Sequence, residues 1–425
     1  MEGLLEQILS PENMSEAVKR VYRNKGAAGV DGVTVEELSG YIKVHWGEIE
    51  QTIRERRYRP QPVKRVEIPK DNGGVRKLGI PTVIDRTIEQ AITQVIGPIF
   101  EEYFSEHSYG FRPGRNCEQA VRELLEYLNG GYTWIVDIDL EKFFDNVPQD
   151  RLMSLVNRVI HNGDVESLIR KYLQAGVMVR GTYEPTPLGT PQGGNLSPLL
   201  SNIMLNELDK ELEARGLRFT RYADYCVIAV GSKASAERVM KSITSWIERK
   251  LGLKVNAEKT CIVRPSGLKY LGFGFWKSSD GWRVRPHQNA VVKFARKLKA
   301  LCRRNWSVTM DYRLKKLNEV IRGWVNYFAL GDMKSAMKRI DEHLRTMLRV
   351  VIWKQWKKPS KREWGLKKLG VAKDLARITA YCGNRYQWVV RKTVLLWAVS
   401  KEVLTRRGLI SCLDYYLARH ALKLN

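Results

Sequence analysis

The chain contains no cysteine pair spaced as a metal or redox motif, no histidine cluster and no long apolar run. Its six cysteines, at 117, 226, 261, 302, 382 and 412, are scattered along the sequence. With no C-x-x-C pair, a zinc knuckle and a disulfide framework are both excluded. Reduced thiols in a cytoplasmic protein are expected instead. The six histidines form no H-E-x-x-H pattern. No apolar stretch approaches the roughly 20 residues needed to cross a bilayer, and no signal-peptide pattern opens the chain. No membrane partner is therefore expected.

Acidic residues are also scarce, but only in one region. Residues 281–425 hold 34 Lys+Arg against 9 Asp+Glu, whereas residues 1–280 are nearly balanced at 38 and 37. The overall formal charge of +26 thus sits almost entirely in the C-terminal third. Eight of the twelve tryptophans lie there too. Basic charge interleaved with aromatic rings suits a polyanion with exposed bases. A solvated basic helical face would not explain so large an excess. At 425 residues the chain has room for two or three domains.

The balanced part carries two acid-bearing stretches. Residues 217–230 read LRFTRYADYCVIAV. Two alternating runs flank Ala223 and Asp224, which predicts a β-hairpin with one carboxylate at its tip. Taken alone, this could be an ordinary exposed turn. Residues 134–145 read WIVDIDLEKFFD. Alternation with Val136 and Ile138 puts Asp137 and Asp139 on one strand face. Such a face is unfavourable next to Phe143 and Phe144 unless a cation is present. Two aspartates from separate strands can hold two Mg²⁺ ions about 3.5–4 Å apart, as in-line phosphoryl transfer requires.

Between these stretches lies GTPQGGNLSP, residues 189–198. The order D-x-x-x-F-F, TPQGG-x-LSP, Y-A-D resembles a reverse transcriptase. Over nearly its whole length the chain resembles the reverse transcriptase or maturase encoded by bacterial group II introns, without the endonuclease domain that many relatives carry. The resemblance implies an α+β right-hand polymerase, with fingers and a palm built on an antiparallel sheet. An all-helical thumb and a basic helical C-terminal domain would follow. The implied divisions are 1–105 for the N-terminal extension and fingers, 106–280 for the palm with part of the fingers, 281–350 for the thumb or maturase region, and 351–425 for a DNA-binding domain. It also implies a bacterial, nucleic-acid-associated protein. The partners would be group II intron RNA, an RNA template with DNA primer, deoxynucleoside triphosphates and target DNA.

The same resemblance supplies roles for single residues. Asp139 and Asp224 would bind two Mg²⁺ ions, with Mn²⁺ able to substitute, and the carbonyl of Leu140 would add a ligand. Lys259 would be the general acid toward pyrophosphate, or else a plain surface lysine. Phe144, five residues after Asp139, would be the steric gate against a ribose 2′-hydroxyl. Gln192 and Gly193 would contact the incoming nucleotide or template, since glycine permits close backbone approach. The basic segment 61–81 predicts a hairpin across residues 71–74. Its Lys70 and Arg76 match the triphosphate-binding positions, although lysines also protect a solvated edge strand. Arg112 and Arg115, in a Gly/Pro turn, and Lys25, in a Gly-rich loop, match nucleic-acid contacts. Residues 82–105 predict a helix with Ile84, Ile88, Ile92 and Ile96 on one side. Residues 270–275 predict an apolar strand closing the palm, Trp324 and Tyr327 are expected in the helical core, and residues 354–368 read as a basic linker.

One departure stands out. The family's hairpin motif is Y-A-D-D, and here it ends in Tyr225. Because successive strand residues face opposite ways, Asp224 is expected to be the direct ligand and position 225 a supporting one, with Asp137 as a further acid beside Asp139. Three readings follow: a polymerase with reduced activity, an RNA-binding splicing factor that has lost catalysis, or an untemplated or defence-associated polymerase of the same fold.

Overall fold

The computed structural model describes residues 3–69, 73–190 and 193–424. It divides into two compact units, residues 1–264 and 265–425. In chain order the first unit contains strands β1 (Val63–Pro69), β2 (Val75–Ile80), β3 (Trp134–Asp139), β4 (Val177–Val179), β5 (Thr182–Glu184), β6 (Arg218–Tyr222), β7 (Tyr225–Val230) and β8 (Cys261–Val263). The second contains β9 (Lys269–Tyr270), β10 (Phe273–Ser278) and β11 (Gly281–Pro286).

The first unit has two sheets. One runs β2-β1-β4-β5, with β1 and β2 antiparallel as the 61–81 pattern predicts. The other runs β6-β7-β3-β8, all antiparallel. Its strand β3 turns Ile135, Val136 and Ile138 into the core and leaves Asp137 and Asp139 half-buried. The helix Val83–Glu101 buries Ile84, Ile88, Ile92 and Ile96, on the period the sequence displays. These side chains join Val136, Ile138, Ile203, Phe219 and Ile228 in one apolar cluster. The helix Ser197–Ala214, opened by a proline in its first turn, packs into the same cluster.

In the second unit β9, β10 and β11 form a small antiparallel sheet. The 270–275 run, expected to close the palm, belongs to this sheet instead. The reason is aromatic cover within its own unit: Phe273 lies 5.0 Å from the Phe328 ring and 5.9 Å from that of Tyr327. Trp324 is half-buried and stacks on Phe294 at 4.3 Å. Tyr327, expected in the core, is 45% exposed at the rim, where its hydroxyl donates to the Leu271 carbonyl. The 354–368 segment is not a linker. The helix Lys334–Gln355 runs into it and the helix Pro359–Lys368 fills most of the rest. Buried Arg362 ties it down by donating to the Trp356 carbonyl and the Asn384 amide. The last helix, Cys412–Leu424, returns to the middle of the unit. Its first N–H groups, on Cys412 and Leu413, donate to the Asp341 carboxylate at 2.8 and 2.9 Å, a favourable charge for a helix N-terminus. Among the described residues no helix is long and apolar enough to cross a membrane.

Candidate active site

The hairpin pairs Tyr222 with Tyr225, so Ala223 and Asp224 form a two-residue turn. Ala223 takes a left-handed φ of 57°, which a non-glycine residue adopts only under constraint. The constraint is visible. Arg221, fully buried, donates twice to Asp209 at 2.7 and 2.6 Å, once to Asn202 at 3.0 Å and once to the Ala223 carbonyl at 2.8 Å. On the other side Gly110 lies so close that a Cβ there would stand 2.2 Å from the Ala223 nitrogen. The tip carrying Asp224 is thereby fixed from beneath and from one flank.

Strand β3 delivers the second carboxylate. Asp139 pairs directly opposite Tyr225 across the β3–β7 ladder. On the β8 side the Asp139 carbonyl accepts from the Asn256 N–H at 2.8 Å. Strand alternation therefore directs the Leu140 carbonyl to the opposite edge, that of β7. The Lys259 ammonium spans both Asp139 oxygens at 3.2 and 3.3 Å.

Asp139, Leu140, Phe144, Arg76, Asp224 and Lys259 line a single cavity of 1330 Å³. Six of the residues singled out from sequence thus meet around one space. Burial raises the Asp224 carboxyl, and the Asp139 charge adds to this while Arg76 and Lys259 oppose it. Asp137 is pushed up to about 6, first by burial and then by Asp139, with the Tyr225 hydroxyl pulling the other way. Among the described residues, one buried oxygen of Asp137 has no hydrogen-bond partner. These carboxylates are crowded, and a divalent cation would relieve the crowding. Among the described residues no group of three or more His, Cys, Asp or Glu side chains converges to hold a metal ion. Asp139, Asp224 and the Leu140 carbonyl could supply an all-oxygen donor set, the kind that suits Mg²⁺.

Tyr225 does not face away from this cluster. Residues directly opposed in an antiparallel pair share a face, so Tyr225 lies on the face of Asp139 and Asp137. Its hydroxyl donates to the second Asp137 oxygen at 3.0 Å. Asp224 belongs to the two-residue turn, so strand alternation restarts at Tyr225 and does not carry over from Asp224. The acid missing from the motif is thus replaced on the acid-bearing face itself.

Phe143 is buried and Phe144 half-buried, and both line the cavity. The loop opposite is attached to it: the Thr190 N–H donates to the Phe144 carbonyl at 2.7 Å. Gly193 takes a φ of 126° and lies against β2, where a Cβ would meet the Gly79 carbonyl at 2.2 Å. Lys70 and Gln192 lie outside the described residues.

Three basic positions read as nucleic-acid contacts lie elsewhere. The buried Arg112 donates to Glu101 at 2.8 Å and to the Ser105 and Ser108 carbonyls. Arg115 pairs with Glu106 and stacks on Tyr109. Lys25 is exposed, and its carbonyl accepts from Arg86. None of the three is among the residues lining the cavity. The same turn instead presents Phe111, 53% exposed at a left-handed φ of 61°, on the cavity wall. Sequence reasoning passed over Phe111, Glu89 and the Arg221–Asp209 pair. For Glu89 and Asp85 a signal exists, since both are acids set among the apolar positions of a core helix. Arg221 and Asp209 meet only through the fold.

Two family models match most of this chain. A reverse transcriptase (RNA-dependent DNA polymerase) family model matches residues 68–275, and a group II intron, maturase-specific domain model matches residues 291–370. Protein YkfC of Escherichia coli (strain K12) is 34% identical over 313 residues, which cover 64% of this chain and 82% of the relative. The group II intron-encoded protein LtrA of Lactococcus lactis subsp. cremoris is 29% identical over 362 residues, 70% of this chain and 59% of that protein. The putative COX1/OXI3 intron 2 protein of Saccharomyces cerevisiae is 26% identical over 396 residues, 78% of this chain and 44% of the relative. The chain thus spans little more than half the length of the intron-encoded protein LtrA. It belongs to the group II intron reverse transcriptase and maturase family.

Proposed function

We propose that the chain is an RNA-directed DNA polymerase that copies RNA into cDNA and binds group II intron RNA to assist splicing and mobility. The observation that carries this reading is the meeting of Asp139, Asp224, Arg76, Lys259 and Phe144 around one cavity. Asp139, Asp224 and the Leu140 carbonyl would hold two Mg²⁺ ions. When bound, they supply activation of a primer 3′-hydroxyl and charge neutralisation at the triphosphate. Arg76 is suited to grip the triphosphate as a fixed cation. Lys259, at the rim and already on Asp139, is suited to hold the pyrophosphate and give it a proton. Phe144 is suited to press on the sugar and exclude a 2′-hydroxyl. The basic second unit, rich in tryptophan, supports contact with intron RNA and target DNA.

A second reading has its own observation. The Tyr225–Asp137 hydrogen bond occupies an acid of the catalytic face, which favours weakened catalysis or a splicing factor without it. Primer extension on a heteropolymeric RNA, with Mg²⁺ and again with Mn²⁺, separates the readings. A templated product supports the polymerase. No product with retained RNA binding supports the splicing factor, and a template-independent tail supports an untemplated enzyme.

A further inference from the structure

The helix Val83–Glu101 carries a row of buried polar residues beside its isoleucine stripe. Asp85 accepts from the Tyr58 hydroxyl at 2.7 Å and the Gln61 N–H at 3.2 Å. Arg86 donates to the Ala27 carbonyl at 2.9 Å. One turn on, Glu89 is only 3% exposed and accepts from the Asn195 N–H at 2.6 Å, with the Leu196 N–H as a second donor. Gln90 accepts from the Asn195 side chain at 3.2 Å, and Thr93 donates to the Asn195 carbonyl at 3.4 Å. One helix face therefore grips one residue of the glycine loop through backbone and side chain.

The glycines explain the closeness of that grip. A Cβ on Gly194 would stand 2.9 Å from both carboxylate oxygens of Glu89. Gly194 thus lets the carboxylate lie flat against the loop backbone. Its neighbour Gly193 in turn touches Gly79 in β2, three residues beyond Arg76. The contacts form a chain from Glu89 to Gly194, then Gly193, then the strand carrying Arg76.

We propose that Glu89 is a positioning residue, which holds the 193–195 backbone against β2 and so sets the floor on which the incoming nucleotide rests. The nucleotide-binding part of this rests on the polymerase reading above; the clamp itself does not. Glu89 touches no substrate, and it acts through Asn195 and the two glycines. Burial pushes its carboxyl up to about 8, with the Asn195 N–H opposing the rise, Asp85 adding to it and Arg86 lowering it. From the Gly163–Leu173 helix, Tyr172 also faces this carboxyl. Near neutral pH the group is mostly the neutral acid, which glutamine imitates.

The test is a cycle of Glu89→Ala, Gly194→Ala and the double variant, with Glu89→Gln as the conservative control, all in the full chain. Amide hydrogen exchange of residues 193–196 is measured without substrate. Glu89→Ala should speed exchange there about tenfold, the equivalent of losing one strong hydrogen bond, with global melting shifted far less. Glu89→Gln should recover most of the protection. Gly194→Ala should speed exchange in the wild-type background and add little once Glu89 is alanine, because the new methyl then has room. In single-nucleotide extension the Glu89→Ala change should raise the KM for deoxynucleotide about tenfold on the same basis, with kcat within about twofold. Unchanged exchange at 193–196 in Glu89→Ala, or strictly additive effects in the cycle, overturns the clamp. If wild-type chain extends no primer, the polymerase reading fails, and the exchange data still decide the clamp.

Discussion

Replacing Tyr225 with aspartate tests the acid face most directly, because the register puts residue 225 opposite Asp139. The change removes the 3.0 Å hydrogen bond to Asp137, worth about 1 kcal/mol. It also adds a negative charge beside two others. Opposed Cβ atoms in an antiparallel pair stand about 5 Å apart. Two charges at that distance repel by about 3 kcal/mol at an effective dielectric of about 20. The Asp139 side chain is 30% exposed and already faces Lys259, so solvent and the ammonium reduce this to about 1–2 kcal/mol. Tyr225→Asp should thus destabilise the metal-free first unit by about 2–3 kcal/mol, lowering its melting temperature by about 5 °C.

A divalent cation reverses the sign of that charge. Binding to the folded state alone stabilises by RT ln(1 + [L]/Kd), so the more acidic site should gain more from Mg²⁺. Thermal melts in EDTA and over a Mg²⁺ titration, for wild type, Tyr225→Phe and Tyr225→Asp, give the answer. Tyr225→Phe should lose only about 1 kcal/mol, with no added Mg²⁺ response. In parallel, Tyr225→Asp should extend a primer faster and reach half-maximal rate at lower Mg²⁺, with RNA affinity unchanged. The reasoning is refuted if Tyr225→Asp melts like wild type in EDTA and gains no more from Mg²⁺.

Asp139→Ala should abolish primer extension while RNA affinity, measured by filter binding, stays within a few-fold; parallel loss of RNA binding would make Asp139 structural. Phe144→Ala should raise ribonucleotide over deoxynucleotide incorporation in single-nucleotide assays, and an unchanged ratio would reject Phe144 as the gate. Glu89→Gln should flatten the pH dependence of stability. The folded value of about 8 lies above the ordinary 4.5, so the contribution of Glu89 is full below about pH 4.5 and lost as pH rises through 8, a change of about 5 kcal/mol at most. In urea unfolding at pH 5, 7 and 9, the variant should gain on wild type as pH rises, and parallel curves would contradict this.

Much of the fold could be read in the sequence because its signals are local. The isoleucine stripe of Val83–Glu101 has a helical period, the 61–81 and 217–230 runs alternate about turns, and the motif order links the acids to the glycine loop. What could not be read depends on partners distant in the chain. Arg112 and Arg115 sit in a Gly/Pro turn, a pattern that normally displays its charges. Whether they are displayed depends on Glu101 and Glu106, and no local pattern reports that those acids face the turn. Phe111 is the converse, an aromatic residue with no local signal of its place, which the turn holds outward onto the cavity wall.

Tyr225 shows how one residue of register changes a chemical conclusion. Alternation counted through the hairpin sends position 225 away from Asp224, and a lost acid there would be peripheral. The two-residue turn interrupts the count, and the ladder brings Tyr225 onto the face of Asp137 and Asp139. A phenol is among the few side chains that fit such a place. Its ring tolerates partial burial and its hydroxyl can donate to a carboxylate, which a second aspartate at neutral pH could not. The substitution therefore exchanges a repulsive contact for a hydrogen bond: the metal-free face gains stability, and the site loses a negative charge that would help hold a cation. Stability and metal affinity move in opposite directions at this one position, and for that reason the melts and the Mg²⁺ titration must be read together.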